Sequence, residues 1–407
     1  MLKNIYKYLI IIIIVIIFSL AFTGSHIVQS VDDLAYTVAL GIDVGDSEDL
    51  KVTFQFTMPV PSGEGGSGQA SPSVIDSVEA NSIDSAISFM NAYVSKEINL
   101  SHCKVIVISE EVAKRGISKE IFSLMNKVQI RPDNHVIIST CSAQKYIESV
   151  SPSLENLVTK FYEILPRSGD YTGYTVNAEL GDFFTKIVCT TCEPCAILGN
   201  VVDNGTEETS GSGSDSQEGE KKSAKNGIEN MGIAVFKSDK LVGTLSAEET
   251  LAHLLLTNQL KSCNISIPDP DDESKKIDLF LTSNHTAKIQ VSIANGNPFA
   301  KSHLTVNAKI ASVDALSKDT TPESSEQRLK KIEESAEHYL ETLLSNYCYK
   351  TAKEFHSDIA GFGRHAIQNF KTSDEFDEYD WLNHYQDTFF ETDAKVTIKS
   401  GFLLTGT

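Results

Sequence analysis

Lys104-Val105-Ile106-Val107-Ile108-Ser109-Glu110-Glu111 decides the fold class. Lys104 to Ile108 is a short apolar run, as expected of a buried strand. Ser109 is a residue type that caps helices at their start, and Gly116 closes the short helix that follows. A buried strand feeding directly into a helix is a building unit of layered α/β architecture. The same alternation recurs outward from this stretch. Upstream, Tyr36 to Ile42 reads as a strand, Gly45-Asp46-Ser47 as a turn, and Leu50 to Met58 as an alternating strand. Val52, Phe54 and Phe56 take one face of it; Lys51, Thr53 and Gln55 take the other. Pro59 to Pro72 is a Gly/Ser/Pro loop, and Ile83, Ala86, Ile87, Met90 and Val94 have helical spacing. Downstream, Arg131-Pro132-Asp133-Asn134 turns the chain into a strand at His135 to Ser139. Leu154, Leu157, Val158, Phe161 and Leu165 predict a helix ended by Pro166.

The pattern breaks at Asp203 to Gly227, which holds no Val, Leu, Ile or aromatic residue and cannot bury enough surface to offset the entropy of ordering it. It is expected to be a disordered acidic Gly/Ser linker. Beyond it, Met231 to Phe236 and Leu241 to Leu245 flank the turn Ser238-Asp239-Lys240 as a hairpin. Ser246 and Glu249 form a capping box ahead of the apolar run Leu251 to Leu256. Strands are expected at Cys263 to Ile267, Ile277 to Leu281, Ala287 to Ile293, Leu304 to Val313 and Lys395 to Leu404. Thr321-Pro322 opens the longest helix, whose apolar positions are Leu329, Ile332, Ala336, Tyr339, Leu343 and Tyr347, with charged residues on its other face. The expected fold is therefore α/β, several domains with helices packed on sheets, behind an N-terminal hydrophobic segment. The expected divisions are 1–25 as signal or anchor, 26–202 as an N-terminal α/β domain, 203–227 as linker, 228–275 as a small middle domain and 276–407 as a C-terminal α/β domain.

Composition limits the function. The chain has 407 residues, a formal net charge of -20 and a pI near 4.9. An acidic surface repels nucleic acid and anionic lipid, so any link to a membrane needs a dedicated anchor. Lys3 and Lys7 followed by the aliphatic run Leu9 to Phe22 supply one. The positive-inside rule puts the remainder of the chain on the extracytoplasmic side.

Seven cysteines, Cys103, Cys141, Cys189, Cys192, Cys195, Cys263 and Cys348, are too few for a disulfide scaffold. Cys189-Thr190-Thr191-Cys192-Glu193-Pro194-Cys195 is the most reactive-looking stretch. Thiols at this spacing can share a metal or cycle between redox states. No second C-x-x-C and no nearby histidine completes a zinc site, and the motif follows a helix (Asn177 to Val188) where a thioredoxin-like site would precede one. It is expected to be a cysteine-bearing loop, with redox or metal handling as the alternative. Gly361-Phe362-Gly363-Arg364-His365-Ala366 fits G-x-G-x-x-A, but the residues before it are polar where a dinucleotide site needs a buried strand; a glycine turn or helix junction is expected. Asp374, Glu375, Asp377, Glu378 and Asp380 lack calcium-loop spacing and read as a solvated face. No set of nucleophile, base and oxyanion donor assembles, so no catalytic residue, metal ligand or cofactor is expected.

Several of these stretches occur in the order of one family's motifs. Val31-Asp32-Asp33-Leu34-Ala35-Tyr36 with Ala39-Leu40-Gly41-Ile42-Asp43 opens the series, and Ser101 to Glu111 follows. Gly232-Ile233-Ala234-Val235-Phe236-Lys237 is followed by Lys240-Leu241-Val242-Gly243 and Leu245-Ser246. Asp358 with Gly361-Phe362-Gly363, Trp381, and Gly401-Phe402 to Gly406 complete it. The chain resembles the Ger(x)C family, the C subunits of spore germinant receptors, from about Val31 to Gly406. The resemblance implies three α/β domains with mixed sheets, no enzymatic activity, and a place on the outer face of the spore inner membrane beside receptor A and B subunits. It identifies no germinant. One departure is specific: Ser25 stands where family members carry the lipidated cysteine. A hydroxyl does not form the thioether, so an uncleaved membrane helix is expected in place of a lipid anchor.

Overall fold

The computed structural model describes residues 6, 11–16, 33–46, 50–57, 73–152, 154–155, 157–202, 227–282, 286–313 and 322–399. The chain divides into two compact units, Met1–Leu34 and Ala35–Thr407. In the first, residues 11–16 are helical and exposed. Most of the expected anchor, Ser25, and nearly all of the expected linker lie outside the described residues. Among the described residues no helix is long and apolar enough to cross a membrane.

The second unit begins with a nine-stranded mixed sheet. Its parallel centre is β1 (Leu34–Val44), β5 (Val105–Ser109), β6 (His135–Ser139) and β7 (Cys195–Val201). Every residue of β5 and β6 is buried, which explains why these strands read as continuous apolar runs and not as alternating ones. On one side β2 (Leu50–Thr57) and β3 (Ser73–Ala80) extend the sheet antiparallel, and β4 (Glu97–Asn99) pairs with β1. On the other side β8 (Ile228–Lys237) and β9 (Lys240–Leu245) do the same, as the expected hairpin. Helices α1 (Ile83–Tyr93), α2 (Glu110–Arg115), α3 (Ser118–Met125), α4 (Ala143–Ser149), α5 (Val158–Ile164) and α6 (Leu180–Ile187) connect these strands.

Local chemistry sets the helix starts. Ser82 accepts the Ser85 N–H at the head of α1, and Ser142 accepts that of Lys145 at the head of α4. Buried Asp43, at the end of β1, accepts the first N–H groups of α4, from Ala143 (2.7 Å) and Gln144 (2.9 Å). Three expectations are corrected. Ser109 holds the N-cap position of α2 but makes no side-chain cap bond. The helix expected from Leu154 starts only at Val158, because Leu154 is 94% exposed and packs on nothing. Pro166 does not stop the chain's winding; it lies in a 3-10 turn, Leu165–Ser168.

The capping box forms as expected: Ser246 and Glu249 exchange hydrogen bonds at the head of α7 (Ala247–Leu256), and Leu251 to Leu256 are buried. A second sheet follows, ordered β10 (Cys263–Asp269), β11 (Asp272–Leu281), β13 (Asn297–Val313) and β12 (Thr286–Ala294), with β14 (Phe389–Ile398) parallel to β13. The crossover from β13 to β14 carries α8 (Pro322–Tyr349), α9 (Gly363–Ala366), α10 (Ser373–Tyr379) and α11 (Trp381–His384). Ile332, Ala336, Leu340, Leu344 and Tyr347 form the buried stripe of α8. Strands of segment 228–275 divide between the sheets: β8 and β9 complete the first, and β10 opens the second. The closing strand begins at Phe389, six residues before the expected Lys395, and the part of that expectation beyond Lys399 lies outside the described residues.

Candidate functional site

After α8 the chain winds through a π-turn, Lys350–Glu354, and stops where His356 takes a positive φ of 52°. Ser357 and Asp358 then enter the interior with no exposed surface. The Asp358 carboxylate is the hub of a knot. One oxygen accepts the N–H groups of Gly361 (2.8 Å) and Phe362 (2.9 Å). The other accepts the N–H of Gly363 (2.8 Å) and the indole Nε1–H of Trp381 (2.9 Å). Gly361 has φ +79°, a conformation that favours glycine, and it aims three successive amides at one anion. Burial pushes the Asp358 carboxyl up to about 6, against these four donors, which favour the charged form.

The knot binds the cysteine loop. Asp358 O accepts the Glu193 N–H (2.9 Å), and the Glu193 carboxylate accepts the Ser238 N–H at the β8–β9 turn (2.6 Å). Ser357 Oγ donates to Phe236 O (2.5 Å), and Phe236 N–H donates to Pro194 O (3.2 Å). A Cβ on Gly363 would lie 2.3 Å from Thr191 O and 2.6 Å from the Trp381 ring, so only glycine fits there. A Cβ on Gly243 would lie 2.2 Å from the Phe355 ring. Burial raises the Glu193 carboxyl to about 7, with the Asp358 charge adding to the effect.

Within the loop, Cys189 and Cys192 bring their sulfurs to 3.2 Å. Thr191 Oγ1 lies 3.1 Å from Cys189 Sγ, and Arg364, on α9, donates to Cys192 Sγ at 3.5 Å. Cys192 is buried and Cys189 is partly exposed. Burial pushes the Cys192 thiol up to about 11. Burial also raises Cys189, but hydrogen bonds from Thr191 and Cys192 outweigh it and hold that thiol below its ordinary value. Cys195 is buried at the start of β7. Among the described residues no group of three or more His, Cys, Asp or Glu is arranged to hold a metal ion. A cavity of about 200 Å³ beside the loop is lined by Lys186, Cys192, His253, Asn258, Arg364 and His365.

Gly361 to Ala366 is a turn leading into α9, and its amides are spent on Asp358, not offered to a phosphate. The acidic run lies on and just after α10: Thr372 caps the helix by accepting the Glu375 N–H, and Asp374, Glu375, Asp377 and Glu378 are exposed. Nothing in the local pattern marks Glu193 as a buried acid, since it sits between cysteines and a proline in an otherwise polar loop. Asp358 carried one signal, an acid three residues ahead of Gly-Phe-Gly, but no role.

The knot joins stretches that drew attention separately: Phe236 and Ser238, Asp358 with Gly361 to Gly363, and Trp381. Phe236, Asp358, Gly361 to Gly363 and Trp381 are buried together in this junction, and Ser238 is held at its exposed edge. The chain matches the spore germination protein N-terminal domain over residues 28–202 and the spore germination B3/GerAC-like C-terminal domain over residues 231–401. It belongs to the Ger(x)C family of spore germination proteins. It is 23% identical to spore germination protein KC of Bacillus subtilis (strain 168), over 88% of this chain and 86% of that one. It is 21% identical to the YfkR protein of the same organism, over 99% and 98% respectively. A crystal structure of the GerBC protein shares the fold, with a TM-score of 0.53 at 15% identity, covering 89% of this chain and 97% of that one. The Ger(x)C assignment covers both sheets and every residue of the knot.

Proposed function

We propose that this Ger(x)C protein is the C subunit of a nutrient germinant receptor, a non-catalytic extracytoplasmic part held beside membrane A and B subunits. The observation that carries the reading is the pair of family matches, 28–202 and 231–401, which together take in both sheets and the junction between them. The chemistry of that junction supports a structural role. Both Asp358 oxygens are engaged by fixed donors, and Glu193 holds a turn. Neither acid is free to move a proton to a substrate. The acidic surface also fits a protein whose contacts are with dedicated partners and not with anionic lipid in general.

The test is affinity purification of the tagged chain from detergent-solubilised spore membranes. Co-purification of a multispanning A subunit and a permease-like B subunit is the expected result; recovery of the chain alone from intact, germination-competent spores would overturn the assignment. Attachment is proposed to run through Lys3 to Phe22, kept as a membrane helix because Ser25 offers no thiol for lipid. Mass spectrometry should then find the segment retained and unlipidated, with Ser25→Cys yielding a shorter, lipidated product.

A further inference from the structure

The family assignment leaves the cysteine loop without a role. Three observations single it out. The sulfurs of Cys189 and Cys192 already stand at 3.2 Å, within about 1.2 Å of a disulfide bond length of roughly 2.0 Å. Only the two threonines Thr190 and Thr191 separate them, so closing the bond is a local movement. The two thiols are also unequal: Cys189 reaches solvent, while Cys192 is buried behind it and takes a hydrogen bond from Arg364. An exposed attacking sulfur backed by a buried resolving one is the arrangement that thiol–disulfide exchange requires.

We propose that Cys189 and Cys192 form a reversible dithiol–disulfide site that exchanges with small-molecule disulfides, Cys189 attacking and Cys192 resolving. Cys189 gives its proton to solvent, and its thiolate attacks one sulfur of the external disulfide. That S–S bond breaks, a mixed disulfide forms on Cys189, and the first small thiolate leaves and takes up a proton. Cys192 then gives its proton to solvent, and its Sγ attacks Cys189 Sγ. The mixed disulfide breaks, and the second small thiolate leaves and is protonated. Two protein thiols are oxidised to one disulfide, and one external disulfide is reduced to two thiols. The thiol affinities run the right way for this order, with Cys189 held below its ordinary value and Cys192 raised to about 11 by burial. Cys103, Cys263 and Cys348 are buried away from solvent and are not participants. The site touches the knot directly, through Arg364 on Cys192 and through Gly363 against Thr191.

The test equilibrates the purified full chain with glutathione and glutathione disulfide at graded ratios, followed by alkylation and peptide mass spectrometry. A Cys189–Cys192 linkage that appears under oxidising ratios and disappears under reducing ones is the expected result. The Cys192→Ser chain should accumulate a glutathione adduct on Cys189, whereas Cys189→Ser should react at Cys192 at least about tenfold more slowly. The wild-type titration decides the matter even if a variant misfolds. Cys189 and Cys192 both remaining alkylatable at the most oxidising ratio, in a chain whose circular dichroism is native, would overturn the proposal, as would a linkage formed instead to Cys141 or Cys195.

Discussion

Asp358 shows at the scale of one residue what holds this protein's parts together. Its two oxygens take four N–H donors, so no oxygen can be exchanged for an NH2 without setting two donors against a donor. Asp358→Asn should therefore cost about 3 kcal/mol or more of stability, read as a lower urea midpoint with an unchanged slope. A midpoint within error of wild type would show that the knot does not carry load. Glu193 makes a different prediction. Its folded-state value of about 7 lies above the roughly 4.3 of an exposed glutamate. The folded chain then holds a proton that the unfolded chain has released, so this group's contribution is full below about pH 4 and lost as pH rises to about 7. Asp358, raised to about 6, acts in the same direction. Glu193→Gln keeps a carbonyl to accept the Ser238 N–H but cannot ionise. The variant should lose part of the wild-type decline in stability between about pH 4 and 7 and so gain on wild type at pH 7.5. Parallel pH–stability curves for the two chains would refute a buried, titrating Glu193.

At the scale of the element, α8 does more than cover a sheet. Its stripe Ile332, Ala336, Leu340, Leu343 and Tyr347 packs inward as three-and-four spacing predicts. Glutamates on its charged face also bond to a strand. Glu333, Glu337 and Glu341 accept the backbone N–H groups of Ile398 (2.8 Å), Val396 (3.1 Å) and Ala394 (3.2 Å) on β14. Four helical residues rise about 6.0 Å and two strand residues about 6.6 Å, so a glutamate on every turn meets every second amide. The carboxylates occupy hydrogen-bonding groups that a strand edge otherwise offers to other chains. Replacing all three by alanine should cost about 2–4 kcal/mol and promote self-association, checked by denaturant unfolding and by light scattering; a stable monomer would show the ladder to be idle. This bears on what the sequence could tell. Periodicity exposed β5, β6, the β8–β9 hairpin, the α7 capping box and α8, because each has a local signature in apolar spacing or cap chemistry. It did not expose the ladder or the knot. Those depend on which edge β14 presents and on a loop about 165 residues before Asp358, and no local pattern records either. The cysteine spacing was legible, but the 3.2 Å approach and the Arg364 contact were not.

At the scale of the whole molecule, the boundary between the two family matches falls inside one sheet. The first ends at residue 202, just after β7, and the second begins at residue 231, within β8. β7 and β8 are neighbours in one sheet, paired from Cys195↔Val235 to Val201↔Ile228. Phe236 and Ser238 in that added hairpin are in turn held by Ser357 and, through Glu193, by Asp358. Residues 35–407 accordingly form one compact unit. A fragment stopping at residue 202 would leave the β7 edge unpaired and uncover the apolar side chains of Ile197 and Phe183 that β8 and Phe236 now cover. It should aggregate or unfold when expressed alone. The complementary cut has the opposite outcome. Cleaving the chain once within residues 203–226 leaves every hydrogen bond of the β7–β8 pair and of the knot in place, so the two pieces should stay together through gel filtration in native buffer. The nicked protein should unfold in a single transition, at a lower temperature than the intact chain and with a midpoint that rises with protein concentration, because unfolding now also separates two molecules. Two transitions at separate temperatures, or elution of the pieces apart, would mean that the sheets are independent and that the junction through Asp358 joins them only loosely.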